Sequence, residues 1–262
     1  VPIPSSIHIY ACLKPPAYQI EEIVDYLKRL LPKVKVEKRE EFFSFAEKHG
    51  LVADIDFLAK KIACCRVHNV NQEAKELLPL PLEIEYEKKR LRNKKQLKGI
   101  IYDGFKLQTA YSNLLKAQEA NLSSCHIILT DQLLGTFDQV DRRYHLRVGI
   151  YGTPNIISTY GFIEALAKPK EYYLKLQMGF EPLVLEEEFK DQIIDSKSTC
   201  FTELLKGYCL QACFYQACGQ DFCCDKACRL YNAHWQKEAL FAQIQSQPEF
   251  CLKHSEIISR WK

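Results

Sequence analysis

The chain has 262 residues, 47% of them apolar, which is enough for one large domain or two small ones with a real core and excludes intrinsic disorder. With 36 Lys and Arg against 33 Asp and Glu the net charge is +3, so nothing global draws the chain to nucleic acid or to an anionic membrane. No stretch approaches the roughly 18 consecutive apolar residues that span a bilayer, and the opening VPIPSSIHIY lacks the basic and apolar regions of a secretion signal; a cytoplasmic protein with no membrane partner is expected.

In chain order, SIHIYACL alternates as a strand. AYQIEEIVDYLKRLL carries Ile20, Ile23, Val24, Leu27, Leu30 and Leu31 at helical spacing, and VKVE after Pro32 makes a second strand, so the first 50 residues read as β-α-β-α. Residues 54–64 suggest a further helix, and Leu77 to Pro81, with its two prolines, a turn or linker. Residues 1–80 are thus expected as a small N-terminal α/β part, with 81–262 as a second domain. The segment LEIEYEKKRLRNKKQLKG reads as a strand that runs into seven basic residues between Lys88 and Lys98. It has no interleaved aromatic cluster, so it reads as a solvated strand end or hairpin tip, and nucleic acid is not expected as a partner.

Beyond Tyr102, FKLQTAYSNLLKAQ suggests a helix, CHIILT an apolar strand, and RYHLRVGIY another strand after a loop containing Asp131, Asp138 and Asp141. NIISTYGFIEALAKPKEYY passes from a strand to a helix beginning near Pro169, where proline suits the first turn. FTELLKGYCLQACFYQAC is a long, largely apolar helix closed by Gly219. A short helix ALFAQIQ and the segment PEFCLKH follow.

The 12 cysteines are unevenly placed: Cys12, Cys64, Cys65 and Cys125 are scattered, and the rest fall between Cys200 and Cys251. In a large chain without a secretion signal such crowding points to metal ligation or redox chemistry rather than a disulfide framework. Cys223-x4-Cys228 and Cys251-x2-His254 are two close ligand pairs of the kind that build a closed tetrahedral zinc site, three thiolates and one imidazole. The alternative is a set of buried free thiols beside an unrelated histidine. Cys224 and His234 are the nearest substitutes within the same segment. Cys209 and Cys213 lie one helical turn apart, with Cys218 near the helix end, and read as small core fillers.

At these residues the sequence resembles the archaemetzincins, zinc metallopeptidases with the signature HExxHxxGxxHC-x4-C-x-M and a later C-x2-C. The matching stretch runs from Ala212 through Gly219, Cys223 and Cys228 to Leu230, then Cys251-x2-His254. The glycine and the cysteines align, but Ala212, Gln216 and Phe222 stand where the family has its catalytic histidines. Cys213 stands at the general-base glutamate and Leu230 at the methionine. The segments LTDQLLGTFD, GTPNIISTYGFIEALAKPKEYY and CRLYNAHWQ also resemble uncharacterised metallopeptidase-like proteins.

The resemblance implies an α/β fold: a small N-terminal α/β part and a metzincin-like mixed-sheet domain with a long helix and a zinc-binding segment at 222–254. It implies structural zinc on Cys223, Cys228, Cys251 and His254, and a catalytically degenerate protein that serves as a protein- or peptide-binding or assembly module. A catalytic zinc needs three protein ligands and a base beside the bound water, which the substituted positions do not offer. The alternatives are a metal-dependent hydrolase with relocated ligands, for which His145, Glu164 and His234 are candidates and His126 and Asp131 stand nearby in the same segments, or an iron–sulfur or redox protein.

Overall fold

The computed structural model of the chain describes residues 3–12, 16–74, 78–93, 99–219 and 222–262. Strand β1 (Ser6–Tyr10) leads through helix α1 (Ile20–Leu30) to strand β2 (Lys35–Arg39). Helix α1 buries Ile20, Ile23, Val24 and Leu27 along one stripe, with Glu21 and Glu22 in its first turn and Lys28 and Arg29 in its last, as the helix dipole favours. Helices α2 (Phe42–Lys48) and α3 (Ile55–Ala63) follow, each started by a carboxylate that accepts from the backbone: Glu41 from Ser44 and Asp54 from Asp56.

The segment starting at Leu82, expected as a strand running into the basic residues from Lys88, lies in helix α4 (Pro81–Asn93), which begins at Pro81, expected in a turn. The alternation of Leu82, Ile84 and Tyr86 misleads because those residues do not form the buried face. Glu87 and Arg90 do, and Glu83 and Glu87, one turn apart, both meet Arg66. Of the basic run expected at a solvated tip, Lys88 pairs with Asp56 at 2.6 Å and Arg90 is buried; residues 94–98 lie outside the described residues.

Strand β3 (Ile101–Asp103) runs into helix α5 (Gly104–Ser112), capped by the Asp103 carboxylate, and strand β4 (Ser124–Thr130) is buried along its whole length. The expected loop after Asp131 contains strand β5 (Leu133–Asp138), which pairs in parallel with β3 and antiparallel with β6 (Arg143–Arg147). Asp138 accepts from the backbone of Val140 and Asp141 and so closes the β5–β6 turn. Strands β7 (Gly149–Ile150) and β8 (Asn155–Ser158) precede helices α6 (Gly161–Glu164), α7 (Lys170–Gln177) and α8 (Pro182–Glu188). The long helix α9 (Phe201–Cys218) ends at Gly219, whose φ of 61° is left-handed backbone that glycine adopts without strain. Helix α10 (Gln236–Leu240), a π-helical turn at Phe241–Gln245 and helix α11 (Leu252–Trp261) complete the order.

The larger sheet has the order β2-β1-β4-β8-β7, parallel except for the edge strand β7, and the smaller one the order β3-β5-β6. The larger sheet crosses residue 80, joining β1 and β2 to strands from beyond it. Alternate strand residues face opposite ways. Ile7, Ile9, Ile127 and Ile157 share a core with residues of α1 and α9, while Tyr10, Ile128 and Ile156 share another with Phe42, Ile62 and Leu107. This is the mixed α/β class expected from the sequence. Among the described residues no helix is long and apolar enough to cross a membrane.

Candidate metal centre

Two backbone turns, one after α9 and one entering α11, bring the C-terminal donors together. Between Cys223 and Cys228 the chain doubles back. The Cys223 N–H donates to the Leu230 carbonyl at 2.7 Å, the Cys228 N–H to the Asp225 carbonyl at 3.0 Å, and the Asp225 carboxylate accepts from the Ala227 N–H. Cys251 sits at the N-cap of α11 and His254 in its first turn, so a two-residue spacer places both side chains on one side of the helix start. The turns are stitched by the Arg229 N–H donating to the Glu249 carbonyl at 2.9 Å and by the Ser246 hydroxyl donating to the Ala227 carbonyl.

The donor atoms of Cys223, Cys228, Cys251 and His254 all lie within 4.8 Å of one another. Sγ of Cys223 is 3.8 Å from Sγ of Cys251, and Nδ1 of His254 is 3.5 Å from Sγ of Cys228 and 3.1 Å from Sγ of Cys251. With Zn–S near 2.3 Å and Zn–N near 2.0–2.1 Å, the edges of a tetrahedral site are about 3.8 Å for S···S and about 3.5 Å for S···N. Two of the three separations match those edges, and the third, 3.1 Å between Cys251 and His254, is shorter than its edge.

Cys228 and His254 are buried, and the imidazole packs edge-on against Phe214 with centroids 5.2 Å apart. Burial pushes the Cys228 thiol up to about 12 and raises that of Cys223, while burial and the neighbouring Lys253 lower His254. The imidazole is therefore a neutral donor, and a cation binding here must displace thiol protons. One backbone N–H already points at sulfur, from Asp225 to Cys223 at 3.3 Å. All 12 cysteines are free of disulfides. Cys224 and His234, the sequence substitutes, are exposed and lie outside the group.

Along α9, Ala212 is fully buried, and Cys213 is buried with its thiol directed to the Cys209 carbonyl at 3.3 Å. The Gln216 amide donates to the carbonyls of Leu122 and Ser124 at 2.9 and 3.0 Å. Phe222 stands edge-on to Tyr151 and Tyr208 at 5.5 and 5.6 Å, and Leu230 is buried in the same core. Cys209 and Cys213 lie in that core as the sequence reading expects, and Cys218 is partly buried against it.

His145 pairs with Asp141 at 2.9 Å across the β5–β6 turn, and Glu164 and His234 are exposed. Among the described residues, His145, Glu164 and His234 belong to no group of three donor atoms within 4.8 Å, so they are not brought together.

A second group, His8, Glu119 and His126, does converge. His8 and His126 stand opposite each other on β1 and β4 with rings 5.0 Å apart. Every donor atom there is already engaged. The Arg39 guanidinium donates to both Glu119 oxygens at 2.7 and 2.8 Å, His8 meets Glu37 and Ser6, and His126 meets the Tyr10 hydroxyl and the Glu119 carbonyl. Spacing could not reveal this group, because His8 and His126 are neighbours only through strand register; the one signal was their apolar-strand setting.

A family model described as "Probable metallopeptidase family (DUF6775)" matches residues 3–261. Among solved structures, the chain is similar to the crystal structure of archaemetzincin from Methanopyrus kandleri, at 13% identity over 98% of this chain and 95% of that chain, with a TM-score of 0.46. No curated protein matches it in sequence.

Proposed function

Given that the chain belongs to the probable metallopeptidase family (DUF6775), matched over residues 3–261, we propose that it is a non-hydrolytic member: a peptide- or protein-binding module whose zinc is structural. The observation that carries this reading lies on α9 and just beyond its end. Ala212 has no donor atom, the Gln216 amide is committed to two backbone carbonyls, and Phe222 sits among aromatic rings. A hydrolytic zinc needs three ligands, an open position and a nearby base.

The opposite holds at the C-terminal turns, where Cys223, Cys228, Cys251 and His254 bring the donor set of a closed site within 4.8 Å of one another. Zinc, when bound there, supplies folding free energy by tying together two turns. Twelve free cysteines support a reducing compartment such as the cytoplasm.

The deciding experiment is elemental analysis of anaerobically purified protein, paired with hydrolysis of a mixed peptide library with and without chelator. One zinc per chain and no chelator-sensitive cleavage are expected. Two tightly bound zinc ions, or cleavage abolished by chelator, would overturn the reading.

A further inference from the structure

Helices α7 and α8, joined by a short turn, expose more apolar side chains than they bury. Inward, Tyr172 of α7 and Leu185 of α8 meet Phe189 and Ile193 in a small core of their own, apart from the two large ones. The rings of Tyr172 and Phe189 stand edge-on with centroids 5.9 Å apart, which ties the two helices into a hairpin. Outward, α7 presents Tyr173, Leu174 and Leu176, and the turn presents Met178 and Phe180. With Leu183 and Val184 of α8, all of these are between 40% and 76% exposed.

A single exposed leucine needs no explanation, but a cluster confined to residues 173–184 does. Its members together leave roughly 700 Å² per chain in water, more than the ~300–600 Å² of the largest patch on a typical monomer. That area is close to the ~800 Å² that each partner contributes to a standard interface.

The charges beside the patch differ in sign between the two helices. Lys170 and Lys175 lie on α7 against Glu171 alone, whereas α8 carries Glu186, Glu187 and Glu188 with no basic residue and follows Glu181. A second hairpin related by a two-fold axis sets α7 on α8 of its partner twice over, apolar on apolar and basic on acidic. An anionic lipid surface would instead meet the repulsion of α8. We propose that the α7–α8 hairpin is a self-association surface through which two copies of this chain form a two-fold dimer, α7 of each protomer packed on α8 of its partner. This goes beyond the zinc reading and does not depend on it.

The test is sedimentation equilibrium of the full zinc-loaded chain from about 1 to about 200 µM, with Met178→Lys and Leu183→Lys beside the wild type. The wild-type chain should dimerise with a Kd of about 10 µM or tighter, and each variant should weaken this by about tenfold or more. Both side chains are largely exposed, so the variants should keep the wild-type circular dichroism. Carbodiimide cross-linking of an equal mixture of unlabelled and isotope-labelled wild-type chains gives a reading that no variant's folding can disturb. Isotopically mixed peptides joining residues 170–177 of one protomer to residues 181–188 of its partner are expected. A monomer throughout the range, wild-type affinity in either folded variant, or mixed cross-links that all lie elsewhere overturns the proposal. A monomer that also binds phosphatidylcholine vesicles would overturn it in favour of a lipid surface.

Discussion

Sγ of Cys223 lies 3.8 Å from Sγ of Cys251, although 28 positions separate them in the chain. Nothing local draws these thiols together. The contact exists because the turn after α9 and the turn into α11 are joined by the Arg229–Glu249 backbone bond and by the Ser246 hydroxyl. A metal ion at this point would hold in place what two hydrogen bonds already approximate.

Cys228→Ser and Cys251→Ser should each lose the bound zinc and lower the melting temperature by more than about 5 °C, because ligand loss removes several kcal/mol of metal-linked stability. Exposed Cys224→Ser should keep both metal and melting temperature. Zinc content and calorimetry of the three variants check this. The anaerobic wild-type protein should be colourless; a brown sample with visible absorption would indicate iron–sulfur chemistry instead.

Ala212 is a packed position of α9 with 0% exposure. Introducing the histidine of the family signature there, Ala212→His, should cost about 2–4 kcal/mol through overpacking and burial of ring nitrogens. It should bind no additional metal. Urea unfolding and metal analysis read both outcomes.

Gly207 lies in the middle of α9, where alanine would ordinarily gain up to about 1 kcal/mol of helix propensity. A Cβ there overlaps the Gln243 side-chain amide, whose Nε2 donates to the Arg229 carbonyl at 2.5 Å. Displacing that amide leaves a buried carbonyl without its donor, a loss of about 1–3 kcal/mol. Gly207→Ala should therefore destabilise the protein, against the propensity expectation, in an equilibrium unfolding experiment.

His126 is 1% exposed, and burial, with help from His8 and Arg39, lowers its pKa from 6.5 to about 4 against the opposing pull of Glu119. The unfolded chain then binds the proton more readily than the folded one. The contribution is fully present above pH 6.5 and is lost as pH falls toward 4, by about 3 kcal/mol at most. Glu119, held down to about 2 by Arg39, adds a loss of the same sign that develops below its ordinary 4.5. His8 is lowered as well, and Glu37 and the Tyr10 hydroxyl complete the groups around the pair. Urea midpoints measured across this range should fall with acid, and His126→Gln should flatten the part between 6.5 and 4.

The four C-terminal donors were legible in the sequence because each pair is local: a short spacer on a turn or at a helix start keeps two side chains together whatever the rest of the chain does. The alternation of β1, the apolar stripe of α1 and the glycine stop of α9 were legible for the same reason, since periodicity records which side of an element is buried. Helix α4 was not. Its buried side is made of Glu87 and Arg90, and charges are buried only where a distant partner, here Arg66, receives them. Strand β5 likewise depends on pairing with β3 and β6.

The meeting of His8 with His126 follows from strand order, which no window of sequence contains. Local chemistry placed the four C-terminal donors in two close pairs. Long-range pairing decided which buried charges face one another, because that depends on contacts whose partners lie tens of residues away.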